Sequence, residues 1–282
     1  MTLTEVSSFK SFAGVQKLFK HRSSVLKCEM RFGVYLPEAK LPDEKFPVLY
    51  YLSGLTCTEA NFIEKAGSQR IASELKMIVV TPDTSPRGVP IEGDSDSYDF
   101  GTGAGFYVDA TTPKWAENYR MYSYVTEELR ELVLKSFPVN AAKQGIFGHS
   151  MGGHGAIIIA LKNPRIYSSV SAFSPICHPL KSPWGMKAFT GYLGEDQANW
   201  LEYDSFELAK KYDGPELEIL IDQGTADNFL TKGELCPEVF EKLENPKVRV
   251  RYNAREGYDH SYYFIATFME DHFRFHAKKL NA

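Results

Sequence analysis

Residues 146–157 read "IFGHSMGGHGAI", four glycines, two histidines and one serine between two apolar runs. Glycine weakens helices and strands alike, so this density needs a reason. Gly148-His149-Ser150-Met151-Gly152 fits G-x-S-x-G, the turn in which a strand ends, bends sharply and enters a helix with serine at the apex. Glycines two before and two after the serine keep side chains out of the crowded bend. The flanks agree: "QGIFG" reads as a strand, and "GGHGAIIIALKNP" as a helix ending near Asn163-Pro164. A glycine- and serine-rich turn without chemistry is the competing reading. The strand before and helix after weigh against it.

Outward from this turn the chain alternates. Ahead of it, "GVQKLFKHRSS", "KCEMRFGVYLP" and "FPVLYYLSG" read as an opening set of strands. "NFIEKAGSQRIASELK" reads as one helix and "MIVVTPD" as a strand, followed by an irregular section from Thr84 to about Trp115. "YSYVTEELRELVLKSF" has a helical apolar stripe. Beyond the turn, "YSSVSAFSP", "LEILIDQG" and "VRVRYNAREG" read as strands, and "SYYFIATFMEDHFRFHAKKL" as a closing amphipathic helix. This alternation predicts an α/β fold: a mostly parallel central sheet flanked by helices, with antiparallel N-terminal strands, as one domain over residues 1–282. Functional residues then belong at the C-terminal ends of the strands.

Composition narrows the class. The 282 residues carry 32 Lys and Arg against 36 Asp and Glu, which fits neither a nucleic-acid footprint nor a basic membrane patch. "MTLTEVSSFKSF" is no secretory signal, and no apolar run approaches a membrane span. Cys28, Cys57, Cys177 and Cys236 are scattered with no C-x-x-C pair, which favours reduced thiols in a cytoplasmic protein over two disulfides and gives no structural zinc pattern.

A serine nucleophile needs a base, and the base an orienting acid. In α/β-hydrolases these follow in the order Ser, Asp or Glu, His. "LEILIDQGTADNFL" offers Asp222 inside the apolar run and Asp227 in the loop after it. The expectation is Asp227, which can reach across to a histidine and could also cap a helix near Phe229; Asp222 is the runner-up, a strand-end ligand. Of seven histidines, His21 lies among the early strands and His178 before the late ones. His149 is expected to point away from the serine, and His154 lies in the helix. His272 and His276 are four apart on the last helix, where a solvated or packed face outweighs a metal pair. His260, after "VRVRY" and before "SYYFIATF", stands where the base belongs. The oxyanion of a tetrahedral intermediate needs amide donors aimed beforehand. Met151 supplies one and Leu55, in "YLSGLTCTEANF", the other, with Gly54 letting the backbone approach.

Those blocks, with "PDTSPRG", "YDFGTGAGFYVDAT", "NYRMYSYVTEEL", "GHSMGGHGA", "SSVSAFSPI", "PWGMKAFTGYLG", "ILIDQGTADNFL" and "EGYDHSYYFIATF", resemble the S-formylglutathione hydrolase (esterase D) family from about Leu52 to the C-terminus. The resemblance implies an α/β-hydrolase fold, a cytoplasmic location, a homodimer, no cofactor, and hydrolysis of S-formylglutathione to formate and glutathione, with activity on small acyl esters. By motif, Ser150, Asp227 and His260 fall on the family triad. Trp184 and Phe189 are candidates for a tight acyl pocket or else core aromatics. Cys57 either lies near Ser150 or is a small buried apolar residue. Lys187, and similarly Arg87, either meets a glutathione carboxylate or is a surface cation. The competing functions are a general carboxylesterase or acyltransferase on the same scaffold, and a non-catalytic binding module, which the complete Ser-Asp-His set disfavours.

Overall fold

The computed structural model describes residues 2–281. Along the chain run β1 (Leu3–Lys10), β2 (Gly14–Arg22), β3 (Glu29–Pro37), β4 (Phe46–Leu52), α1 (Glu59–Lys65), α2 (Ser68–Glu74) and β5 (Ile78–Pro82). After a long loop come α3 (Met121–Ser123), a π-helical stretch (Tyr124–Leu129) and α4 (Arg130–Ser136), then β6 (Val139–His149), α5 (Met151–Lys162) and β7 (Tyr167–Phe173). The remainder holds α6 (Pro183–Leu193), α7 (Ser205–Lys211), β8 (Leu217–Gly224), α8 (Asn228–Thr231), β9 (Val248–Arg255) and α9 (Tyr262–Leu280), with 3₁₀ turns at Gln197–Tyr203 and Pro237–Lys242.

The strands form one sheet in the order β1-β2-β3-β5-β4-β6-β7-β8-β9. β1, β2, β3 and β5 pair antiparallel, and every pairing from β5 through β4 to β9 is parallel. The order doubles back between β4 and β6, so their C-terminal ends open a crevice at the topological switch point, where α/β sheets bind ligands. Both faces of the central strands are covered. In β4, Val48, Tyr50 and Leu52 face the layer built on α5, while Leu49 and Tyr51 face the layer of α1, α2 and α9. That double burial explains why "FPVLYYL" is apolar without alternation. α5 is buried on every side except at its C-terminal end, which explains its lack of an amphipathic stripe.

Two elements differ from expectation. The single helix expected over residues 61–76 is two, because Gly67 takes the left-handed conformation at φ +65° and turns the chain between α1 and α2. β1 carries no strand pattern because it lies at the sheet edge with six of its eight residues exposed. No helix among the described residues is long and apolar enough to cross a membrane.

Candidate active site

β6 delivers the chain to Ser150, which takes φ +57° and ψ −121°, a region that L-residues rarely enter, and α5 starts at the next residue. The bend tolerates nothing at its flanks. A Cβ on Gly148 would meet the Gly152 carbonyl oxygen at 2.2 Å, and one on Gly152 would meet the Leu52 oxygen at 1.9 Å. The G-x-S-x-G spacing is thus a steric requirement of a helix start pressed against the end of β4.

Ser150 opens into a cleft of about 280 Å³ at the switch point. One wall is the loop after β4, with Gly54, Leu55, Thr56 and Cys57, continuing to Asn61 on α1. A second is aromatic, made by Tyr98, Trp184 and Phe229, and His149, His260 and Tyr262 complete the lining. Trp184 Nε1 donates to the Tyr98 hydroxyl at 3.1 Å. The Trp184 ring lies 4.6 Å from that of Phe229, which in turn lies 4.8 Å from that of His260.

His260 stands in the short link between β9 and α9, and Asp227 in the turn after β8. The buried Asp227 carboxylate accepts from His260 Nδ1 at 2.5 Å, from the Phe229 amide at 2.8 Å and from Gln223 Nε2 at 3.1 Å. Asp227 is therefore both the N-cap of α8 and the partner of His260; the two sequence readings hold together. Burial pushes its carboxyl pKa up, but the hydrogen bond and charge of His260, with the amide and Gln223, outweigh it and hold the group below the ordinary value. Asp222 sits apart, at the end of β8, accepting from Asn253 at 2.7 Å and Arg255 at 2.6 Å with His272 at 3.8 Å.

The loop after β4 is held from behind. The Cys57 carbonyl accepts from Thr84 Oγ1 at 2.6 Å and Arg87 at 3.1 Å, and the Thr56 amide donates to Gly103 at 2.9 Å. The Leu55 and Met151 amides donate to no acceptor among the described residues; Met151 is the first residue of α5, where the amide has no partner within the helix. Gly54 lets this loop pass close: a Cβ there would stand 3.1 Å from that of Ser150.

Several expectations need correction. His149 does not point away. It shares its strand face with Phe147, which packs on Phe273 of α9, so its side chain falls where the chain enters α9, against His260. Burial, reinforced by the neighbouring His260, holds its pKa well below the ordinary histidine value. Phe189 is no pocket wall: it is fully buried on the inner face of α6, its ring 6.0 Å from those of His154 and Trp200. Lys187 also lies off the cleft, since its ammonium pairs with Asp99 and reaches Ser97 at 2.8 Å, anchoring the loop that carries Tyr98. Arg87 is taken up by Asp83 at 2.6 Å and by the Cys57 carbonyl. Trp184 and Cys57 do line the cleft, and burial pushes the Cys57 thiol up.

The other histidines are structural. His154, lowered to about 4 by burial, lies 3.1 Å from the Phe106 carbonyl. His178 pairs with Asp204 at 2.8 Å. His272 and His276 both meet the Ser171 hydroxyl, each at 2.8 Å, fastening α9 to β7. No group of three or more His, Cys, Asp or Glu among the described residues is placed to hold a metal ion. Tyr98, Asn61 and Phe229 give no sign of themselves in the sequence; an irregular loop and helices of one or two turns carry too little periodic signal.

Comparisons with known proteins agree with this geometry. The family described as "Putative esterase" matches residues 23–275. An S-formylglutathione hydrolase of Bos taurus is 60% identical over all of both chains, and one of Rattus norvegicus 58% over all of both. The solved structure of an S-formylglutathione hydrolase from Agrobacterium tumefaciens superposes with a TM-score of 0.94 at 48% identity, covering 98% of this chain and 99% of that one. Matched from end to end at this level, the chain belongs to the S-formylglutathione hydrolase family of α/β-hydrolase esterases.

Proposed function

We propose that this chain hydrolyses S-formylglutathione to formate and glutathione through a covalent formyl-enzyme, with Ser150 as nucleophile, His260 as general base and Asp227 as its orienting acid. The observation that carries the reading is one cleft holding a serine in a strained, side-chain-out bend and a histidine whose Nδ1 is fixed by a buried carboxylate at 2.5 Å. Ser150 Oγ attacks the thioester carbonyl as His260 Nε2 takes its proton. Asp227 keeps the proton on Nδ1 and stabilises the imidazolium. The Leu55 and Met151 amides receive the oxyanion. The carbon–sulfur bond breaks, the thiolate leaves and takes the proton from His260. A water, deprotonated by His260, then attacks the formyl ester; the carbon–oxygen bond to Ser150 breaks as His260 returns the proton to Ser150 Oγ, and formate departs. Thiolates leave more readily than ordinary alkoxides, so small alkyl esters are turned over by the same route more slowly; p-nitrophenolate leaves as readily as a thiolate, so preference over p-nitrophenyl acetate reports recognition of the substrate.

The reading includes a homodimer in the cytoplasm, built from single-domain subunits without a cofactor. Exposed Val6, Phe9 and Phe12 at the β1 edge support the dimer, and four free cysteines support a reducing compartment. The test is kcat/KM for S-formylglutathione beside p-nitrophenyl acetate, on wild type and Ser150→Ala. Thioester preference, lost by at least about 10³-fold in the variant, is expected. Equal rates on both substrates would leave an unspecialised esterase, and activity surviving in Ser150→Ala would remove the nucleophile assignment.

A further inference from the structure

S-formylglutathione ends in two carboxylates, one on each arm of the peptide. The cleft around Ser150 is lined by no lysine or arginine. A carboxylate brought there without a cation would lose its hydration uncompensated, so the arms must find charge at the cleft's border. The two cations singled out by sequence cannot serve, because Lys187 is paired with Asp99 and Arg87 with Asp83.

Two other lysines follow residues that line the cleft by one helical turn or less, and neither makes an ion pair with any described residue. Lys232 closes α8; its Nζ lies 5.5 Å from the ring centre of Phe229, the cleft residue that touches both His260 and Trp184. Lys65 is the last residue of α1, one turn beyond Asn61, and side chains four apart share a helix face. Asn61 itself lines the cleft; its Oδ1 accepts from the Thr58 amide at 2.9 Å, and its amide NH₂ donates to no acceptor among the described residues. Both ammonium groups are exposed and free to move onto a ligand.

We propose that Lys232 and Lys65 are the anion subsites of this enzyme, each binding one carboxylate of the glutathionyl group, with the Asn61 amide as a further donor beside Lys65. The assignment rests on the functional reading above and adds where the leaving group is held. It makes thioester selectivity a property of charge at the border and leaves the chemistry to the cleft.

The experiment compares kcat/KM for S-formylglutathione with that for the uncharged p-nitrophenyl acetate in wild type, Lys65→Gln, Lys232→Gln and the double variant. Lys278→Gln, at the far end of α9, is the control for net charge. The thioester-to-ester ratio should fall about threefold in each single variant and about tenfold in the double, through KM for the thioester, as expected for exposed ion pairs. Added salt should lower the wild-type ratio and leave the double variant's nearly flat. A double variant with the wild-type ratio, in an enzyme that turns over the thioester, overturns the lysine assignment alone. An equal fall in Lys278→Gln also overturns it, as an effect of net charge. Wild type that hydrolyses the ester but not the thioester removes the functional reading, and this assignment with it.

Discussion

The rings of His149 and His260 lie with centroids 4.3 Å apart and planes inclined at 44°. Two imidazoles this close cannot both be charged, and His260 has to accept a proton in the proposed reaction. His149 escapes the conflict by burial, which holds it neutral well below its ordinary titration range. Its contribution is then a flat surface behind His260. His149→Phe keeps that surface and should retain kcat within about threefold, while His149→Ala leaves a void and should lose on the order of tenfold or more, as misplacement of a catalytic group does. The acid limb of kcat/KM against pH should be the same in wild type and His149→Phe; a displaced limb would mean that His149 titrates there.

Asp227 has two duties, and two substitutions separate them. Asp227→Asn can still accept the Phe229 amide and cap α8, but it no longer stabilises an imidazolium. It should cost about 10³- to 10⁴-fold in kcat and, in stability, only what the charge of the carboxylate contributes. Asp227→Ala should lose the same activity and, in addition, about 1 kcal/mol of cap. Thermal melting of both variants beside their kcat decides.

The same carboxylate sets a pH dependence of stability. Its pKa is lower folded than unfolded, so its contribution is complete above the ordinary carboxylate value and fades as pH falls through the lower folded one. The stability advantage of wild type over Asp227→Asn should therefore hold from pH 7 to about pH 5 and shrink below about pH 4. Chemical denaturation at stepped pH measures it, and an advantage that grows on acidification would reverse the sign.

Asp222 should behave in the opposite way to Asp227. It is fully buried under Arg255, Asn253 and His272, remote from the lining of the cleft. Removing its charge leaves the partly exposed Arg255 guanidinium with Asp271, at 3.1 Å, as its remaining carboxylate, so the loss stays below the roughly 3 kcal/mol of a fully stranded buried charge, at about 1–2 kcal/mol. Asp222→Asn should melt earlier while its folded fraction keeps nearly full kcat. An active-site defect at unchanged stability would exchange the roles of the two aspartates.

These two aspartates, five residues apart, mark what a linear sequence can and cannot reveal. Ser150, Asp227 and His260 are legible because each follows a strand, and the strand order fixes where such ends meet. The parallel sheet is legible because doubly buried strands such as β4 are apolar throughout. The border of the cleft is not. Lys187 and Lys232 are both surface lysines beside aromatics, and only three-dimensional proximity to Asp99 tells the occupied one from the free one. The orientation of His149 is hidden because the turn obscures which face of β6 its side chain shares. β1 is silent because an edge strand exposed on both faces has no alternation to read.

Strain at Ser150 yields the last expectation. A residue at φ +57°, ψ −121° costs about 1–3 kcal/mol for any side chain, and glycine escapes most of that cost. Ser150→Ala keeps the Cβ and so keeps the strain, whereas Ser150→Gly releases it. Glycine also adds freedom to the unfolded chain, which offsets about 0.5–1 kcal/mol of the gain. Both variants should be inactive, yet Ser150→Gly should be more stable than Ser150→Ala by about 1 kcal/mol, read as a higher midpoint in urea at unchanged slope. The difference measures how much folding stability the bend gives up to present one hydroxyl. If the two variants unfold together, the bend is unstrained and the exposure of Ser150 Oγ comes from packing by Gly148 and Gly152 alone.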